Sequence, residues 1–181
     1  MKTKIIKGSL IAIILIIFLI SSVSADTGNK DEPTVQTLSK GGLVINYPSE
    51  WGYSKATSQY SIMSISKLDS IDSAGIGQVN INFEKKPLEG EFHTFVSDIY
   101  KSMEHDSSFS LISSGESVIA DNREALEYIY ISNDNGVERE HKAVWFEKGG
   151  QAYVILYSAP KDQFESNLYV FDYILSDIQI T

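Results

Sequence analysis

From Arg123 to Ala159 the chain has the pattern of three consecutive antiparallel strands, and the rest must pack around them. The segment Ala125-Leu126-Glu127-Tyr128-Ile129-Tyr130-Ile131 is apolar on both faces. Asn133-Asp134-Asn135-Gly136 comes next, and Asn, Asp and Gly tolerate the positive φ angles of a tight hairpin. A second strand is expected from Val137 to Glu147. Lys148-Gly149-Gly150 turns the chain again into Ala152–Tyr157, rich in β-branched and aromatic residues. Strands apolar on both faces are covered on both faces, so the meander belongs in the centre of a sheet with a layer on either side.

The remaining elements fit that centre. Leu43–Tyr47 reads as a strand ended by Pro48, Ser61–Lys67 as a second and Gln78–Phe83 as a third. In the last, alternation predicts that Val79, Ile81 and Phe83 face the core and the amides face away. Leu68 to Gly77 reads as a loop. Phe92, Phe95, Val96, Ile99 and Met103 form one stripe of an amphipathic helix from near Glu91 to about Glu104. Phe109 to Ala120 is serine-rich and extended, with a break expected at Gly115 and a turn at Asp121-Asn122. Pro160 opens a second helix with Phe164, Leu168, Phe171 and Leu175 on one side, and Ile178-Gln179-Ile180 is a candidate last edge strand. Hairpin connections with helices between and after runs of strands indicate an α+β domain: a mainly antiparallel sheet in a three-layer α/β/α sandwich.

The N-terminus is of a different kind. Lys2, Lys4 and Lys7 precede the uncharged apolar run Leu10–Ile20, and Val23-Ser24-Ala25 supplies small residues for a signal peptidase. Two readings stay open for residues 1–25, a signal cleaved after Ala25 or a retained N-terminal membrane anchor. Either puts the domain outside the cytoplasm. Residues 26–40 read as a flexible polar linker and 41–181 as the folded domain. Cleavage would remove three lysines and no acid, taking the formal charge from −9 to −12. Such a surface makes nucleic acid a poor partner. With no cysteine, stability must come from the core, and thiolate metal sites, a cysteine nucleophile and lipidation at cysteine are excluded.

The stretch Leu43-Val44-Ile45-Asn46-Tyr47-Pro48-Ser49-Glu50-Trp51 has a Tyr-x-Pro-x-x-Trp arrangement that resembles the start of PsbP-like domains. The later elements are similar in their order too: a long amphipathic helix after the third strand, Ala125-Leu126-Glu127-Tyr128, a Lys-Gly-Gly hairpin into Ala152-Tyr153-Val154-Ile155, and a closing helix ending in Ser176-Asp177-Ile178. The resemblance spans about residues 41 to 180. PsbP proteins of photosynthetic membranes are extrinsic lumenal subunits that help the oxygen-evolving complex retain calcium and chloride. The resemblance therefore implies a non-catalytic accessory role. The matching positions Tyr47, Pro48 and Trp51 read as a strand end and an aromatic plug.

No catalytic motif appears. His93, His105 and His141 have no metal-ligand spacing among them. His93 reads as a surface or boundary residue beside Phe92, and His141 as one side of a cross-strand polar contact. In Glu104-His105-Asp106 successive side chains diverge. Asp69–Gly75 and Asn133–Gly136 lack the alternate ligands and closing Glu of a calcium loop, and read as turns. Gly75-Ile76-Gly77 precedes a strand, whereas a dinucleotide loop comes after one. No catalytic, cofactor-binding or metal-binding residue is assigned, and the cofactor is unknown. The expected function is an exported, non-catalytic accessory domain that contacts a membrane or cell-surface protein at the outer face of the membrane. The alternative is an extracytoplasmic calcium-binding protein, or an enzyme whose site is assembled from distant acids and histidines.

Overall fold

The computed structural model describes residues 34–56, 58–134 and 136–181. The elements run β1 (Val35–Lys40), β2 (Leu43–Pro48), β3 (Trp51–Tyr53), β4 (Ser61–Lys67), β5 (Asn80–Pro87), α1 (Phe92–Met103), β6 (Phe109–Ile119), β7 (Arg123–Asp134), β8 (Val137–Lys148), β9 (Gln151–Pro160), α2 (Lys161–Asp177) and β10 (Gln179–Ile180). The export segment expected at residues 1–25 lies outside the described residues.

Seven strands form one antiparallel sheet in the order β3-β4-β5-β9-β8-β7-β6, with β9, β8 and β7 of the meander adjacent as expected. A small sheet, β1-β2-β10, lies beside α2. One face of the large sheet packs on α2 and the small sheet through Phe83, Ile155, Tyr157, Phe164, Phe171 and Trp51, all buried. The opposite face packs on α1 through Val96, Tyr100, Tyr130, Trp145 and Val154. The domain is thus the expected three-layer α+β sandwich. Tyr47 and Trp51 sit in the first core, so the Tyr-x-Pro-x-x-Trp block is a plug.

Four expectations are corrected. Residues 35–40, expected in the linker, form β1, and the folded part begins before Gly41. All but Leu38 are exposed on this strand, and its order comes from pairing with β2 rather than from an apolar pattern of its own. The irregularity in β6 is not at Gly115 but between Leu111 and Ser113, where Ile112 is an extra residue. Pro160 caps α2 rather than entering it, and the buried face of that helix turns toward Asn167, Val170 and Ile174, leaving Leu168 only half-buried. The amides of β5 do not all face solvent: Asn82 is buried.

Candidate functional site

The buried Asn82 belongs to a part of the sheet that α1 does not reach. A helix of 12 residues is about 18 Å long, whereas seven strands at about 4.8 Å span about 29 Å. The contacts of α1 fall on β6, β7, β8 and β9, so the β4 and β5 end of that face must be covered by something else. It is roofed by loops, and underneath it is polar.

Register fixes which side chains share this floor. Ser66 is opposite Asn80, Asn80 opposite Ser158, Ser158 opposite His141, and His141 opposite Tyr130. In the next row Ser64 faces Asn82 and Asn82 faces Leu156. His141 and Trp145 are four residues apart on β8, hence on one face, and Trp145 donates its indole N–H to Tyr100 Oη of α1 at 2.9 Å. Seven polar or charged residues are buried among those described, and six of them belong to this half-face: Ser54, Ser64, Ser66, Asn82, Glu84 and Ser158. The seventh, Asn167, is on α2. Five of the six line an open cleft of about 500 Å³, and Lys55, Arg139 and His141 also line it.

Buried polar groups need partners, and here they find each other. Ser66 Oγ donates to Ser54 Oγ at 2.7 Å, which donates to Ser64 Oγ at 3.1 Å. Ser61 Oγ donates to Asn82 Oδ1 at 2.6 Å, and Asn82 Nδ2 donates to Glu84 Oε1 at 2.7 Å. The other oxygen of Glu84 lies 3.4 Å from Lys86 Nζ, which also sits over the rings of Tyr60 and Trp145. His141 is held between two serines, with Nε2 2.8 Å from Ser132 Oγ and Nδ1 2.7 Å from Ser158 Oγ, and its ring stacks on Tyr130 at 4.5 Å. Burial first, and then the neighbouring Arg139 guanidinium, lower its pKa from 6.5 to about 4. At neutral pH this imidazole is uncharged.

The roof is built by backbone. Asp72 Oδ1 accepts the N–H groups of Ala74 and Ile76 at 2.9 and 3.0 Å, and Lys55 N donates to Gly75 O at 3.0 Å. Gly77 crosses directly over Ser66, where any Cβ would collide with the Ser66 side chain, so the sequence must be glycine for the loop to pass. Arg139 Nη1 donates to Gln78 Oε1 at 3.1 Å and ties β8 to the end of this loop.

The other candidates are apart from this cleft. His93 is exposed, edge-on to Phe92 at 5.8 Å, and borders a second hollow of about 1020 Å³ between the start of α1 and the β6–β7 turn. His105 is exposed after α1, while Asp106 accepts the Ser108 N–H, which holds its carboxyl below the usual range. Asp69 pairs with Lys67 at 3.2 Å, and Asn133 Oδ1 accepts the N–H of Gly136, which has φ 85°. Among the described residues no three His, Asp or Glu side chains converge to hold a metal ion, and no helix is long and apolar enough to cross a membrane. His141 makes the cross-strand polar contact its flanking residues suggested. The serines and Asn82 around it belong to no motif; their signal in the sequence is the run of Ser and Asn at alternate positions of β4 and β5.

No protein-family model matches the chain, and no curated protein matches it. Solved structures do. Cyanobacterial PsbP from Synechocystis superposes with a TM-score of 0.57 at 17% identity, covering 85% of this chain and 96% of its own. LpqN, described as involved in cell envelope biogenesis of Mycobacterium tuberculosis, gives 0.54 at 12% identity over 83% and 92%. The Saccharomyces cerevisiae Ran-binding protein Mog1p gives 0.53 at 6% identity over 82% and 96%. At these identities the likeness is one of fold, and the fold of this chain is PsbP-like.

Proposed function

We propose that this protein is an extracytoplasmic, non-catalytic accessory domain that binds a membrane or cell-surface protein at the outer face of the membrane, using the polar cleft. The observation that carries the reading is the gathering of six buried polar side chains on one half-face of the sheet, five of them lining the cleft. Apolar side chains would stabilise that face as they do under α1, so polarity there is better explained by recognition. The cleft offers hydrogen bonds rather than a reactive group. Ser158 and His141 are 2.7 Å apart as in a nucleophile–base pair, but the opposite ring nitrogen meets Ser132 instead of a carboxylate, and a base with a pKa of about 4 is weak near neutrality. Export rests on Met1–Ala25, and the similar fold of an envelope-biogenesis protein is in keeping with it.

The test is made on the full-length chain in intact cells. A photo-crosslinking residue at Lys55 or Ser58, on the cleft rim, should give one discrete adduct with a membrane or surface protein, and the same residue at Gln163 on α2 should not. A membrane-impermeant amine reagent should label the chain in intact cells. Adducts equal at rim and control sites sink the cleft as the binding surface, and labelling only after lysis sinks the extracytoplasmic assignment.

A further inference from the structure

The large sheet ends on one side in β3, a strand of only three residues, and on the other in β6, which has 11. Long open edges present unpaired N–H and C=O groups, and proteins blunt them with lysine, proline or inward charges. β6 has no Lys or Pro and only one charged residue, Glu116. It also exposes two large apolar side chains, Ile112 at 53% and Val118 at 63%.

These residues are placed symmetrically. Ile112 and Val118 lie three positions either side of Gly115. That glycine has no positive φ, and a Cβ there would meet nothing within 4 Å, so nothing among the described residues explains a residue that weakens strands. Glycine within a strand often marks close approach of another backbone. We propose that β6 pairs antiparallel with β6 of a second copy of this chain, with Gly115 on the two-fold axis, joining two seven-stranded sheets into one. In this register Ile112 meets Val118 of the second copy at both ends, and Ser113 meets Ser117. The extra residue at Ile112 ends the regular stretch where the pairing ends.

The edge itself is nearly uncharged, which permits pairing with its own copy and offers a strand of opposite sign only Glu116 to meet. The chain has a net charge of −9, so copies repel unless their seam is nearly neutral. Glu116 faces Ser114 of the other copy rather than an acid. The two Glu116 side chains stand diagonally, about 7–8 Å apart, close to one Debye length in salt at about 0.15 M, so their repulsion is weakened. A two-fold pairing is also closed, so it stops at the dimer.

The absence of cysteine makes the test direct. Gly115→Cys in the full-length chain puts a single thiol on the proposed axis, where opposed Cα atoms are about 4.5–5.5 Å apart, inside the about 4.4–6.8 Å span of a disulfide. Mild oxidation should give a dimer about tenfold faster than Ser166→Cys on α2, because pairing raises the effective thiol concentration. Ser113→Cys and Ser117→Cys copies expressed together should cross-link to each other and not to themselves. Adding Ile112→Lys and Val118→Lys to Gly115→Cys should abolish the cross-link without lowering the melting temperature. Equal rates at positions 115 and 166 overturn the proposal, as does a cross-link that survives both lysines. A disulfide from position 115 to a different polypeptide also overturns it and gives the edge to a partner strand.

Discussion

His141 titrates far from its ordinary range, and this makes the cleft measurable without knowing what it binds. Its pKa is about 4 in the fold and 6.5 in an unfolded chain. Between those values the unfolded chain binds the proton and the folded one does not, so stability is complete above pH 6.5 and falls as pH drops toward 4. At about 1.4 kcal/mol per pH unit the full loss is about 3 kcal/mol, of which about 2 kcal/mol accrues between pH 7 and pH 5. For a domain near 150 residues that is a fall in Tm of about 4–8 °C. His141→Gln keeps an amide able to donate to one serine and accept from the other, but has nothing to titrate. Thermal melts of the two proteins from pH 7.5 to pH 5 therefore isolate His141, since the two chains are otherwise identical. The wild-type curve should fall more steeply by that amount. Parallel curves would mean that His141 is not held neutral by burial, because an imidazole in contact with water would not need a neutral state to stay between Ser132 and Ser158.

Two further substitutions test the packing around the site. Tyr100→Phe leaves the buried Trp145 indole N–H without its acceptor and should cost about 1–3 kcal/mol in urea unfolding; an unchanged midpoint would mean that this bond does not join α1 to the sheet. Gly77→Ala forces a methyl into Ser66 and should cost about 1–3 kcal/mol, with most of it recovered when Ser66→Gly is added. Additive losses in that pair would show that the loop does not cross the floor where described.

The fold is more legible in the sequence than the site, for a physical reason. Apolar periodicity reports which residues leave water, and it marks the meander, α1 and the strand of Val79, Ile81 and Phe83. It cannot tell solvent from a polar interior. Asn82 alternates with Ile81 and Phe83 as a solvent-facing amide would, yet it is buried, with its amide oxygen bonded by Ser61 and its amide nitrogen bonded to Glu84. Tyr100 does not join the apolar stripe of α1 because its hydroxyl reads as polar. In the fold that hydroxyl is the buried acceptor for Trp145, and the ring lies flat on Tyr128 at 3.8 Å. β1 is invisible for the opposite reason: its residues are mostly exposed, and only the pairing with β2 makes them a strand.

Whether the polar half-face is kept for stability or for recognition can be decided by removing it. Ser61, Asn82 and Glu84 form a chain of hydrogen bonds closed by Lys86, which would retain its contacts with the Tyr60 and Trp145 rings without them. Asn82→Leu alone leaves a Glu84 carboxylate oxygen unpaired, while the Ser61 hydroxyl keeps its bond to Met63 O at 3.2 Å, and should cost about 1–3 kcal/mol. Replacing all three, as Ser61→Ala, Asn82→Leu and Glu84→Met, leaves only Lys86 without its carboxylate, on a side chain 24% exposed to water and seated over two rings, and exchange of the rest of a satisfied buried network for apolar side chains of similar volume is close to neutral or stabilising. The triple variant should therefore unfold within about 1 kcal/mol of the wild type while losing the rim adduct in intact cells. If it loses several kcal/mol instead, the network is part of the core, and the cleft above it is only the space between two loops. If it keeps both stability and adduct, the partner is bound elsewhere. Only retained stability with lost binding is consistent with a face whose polarity serves recognition.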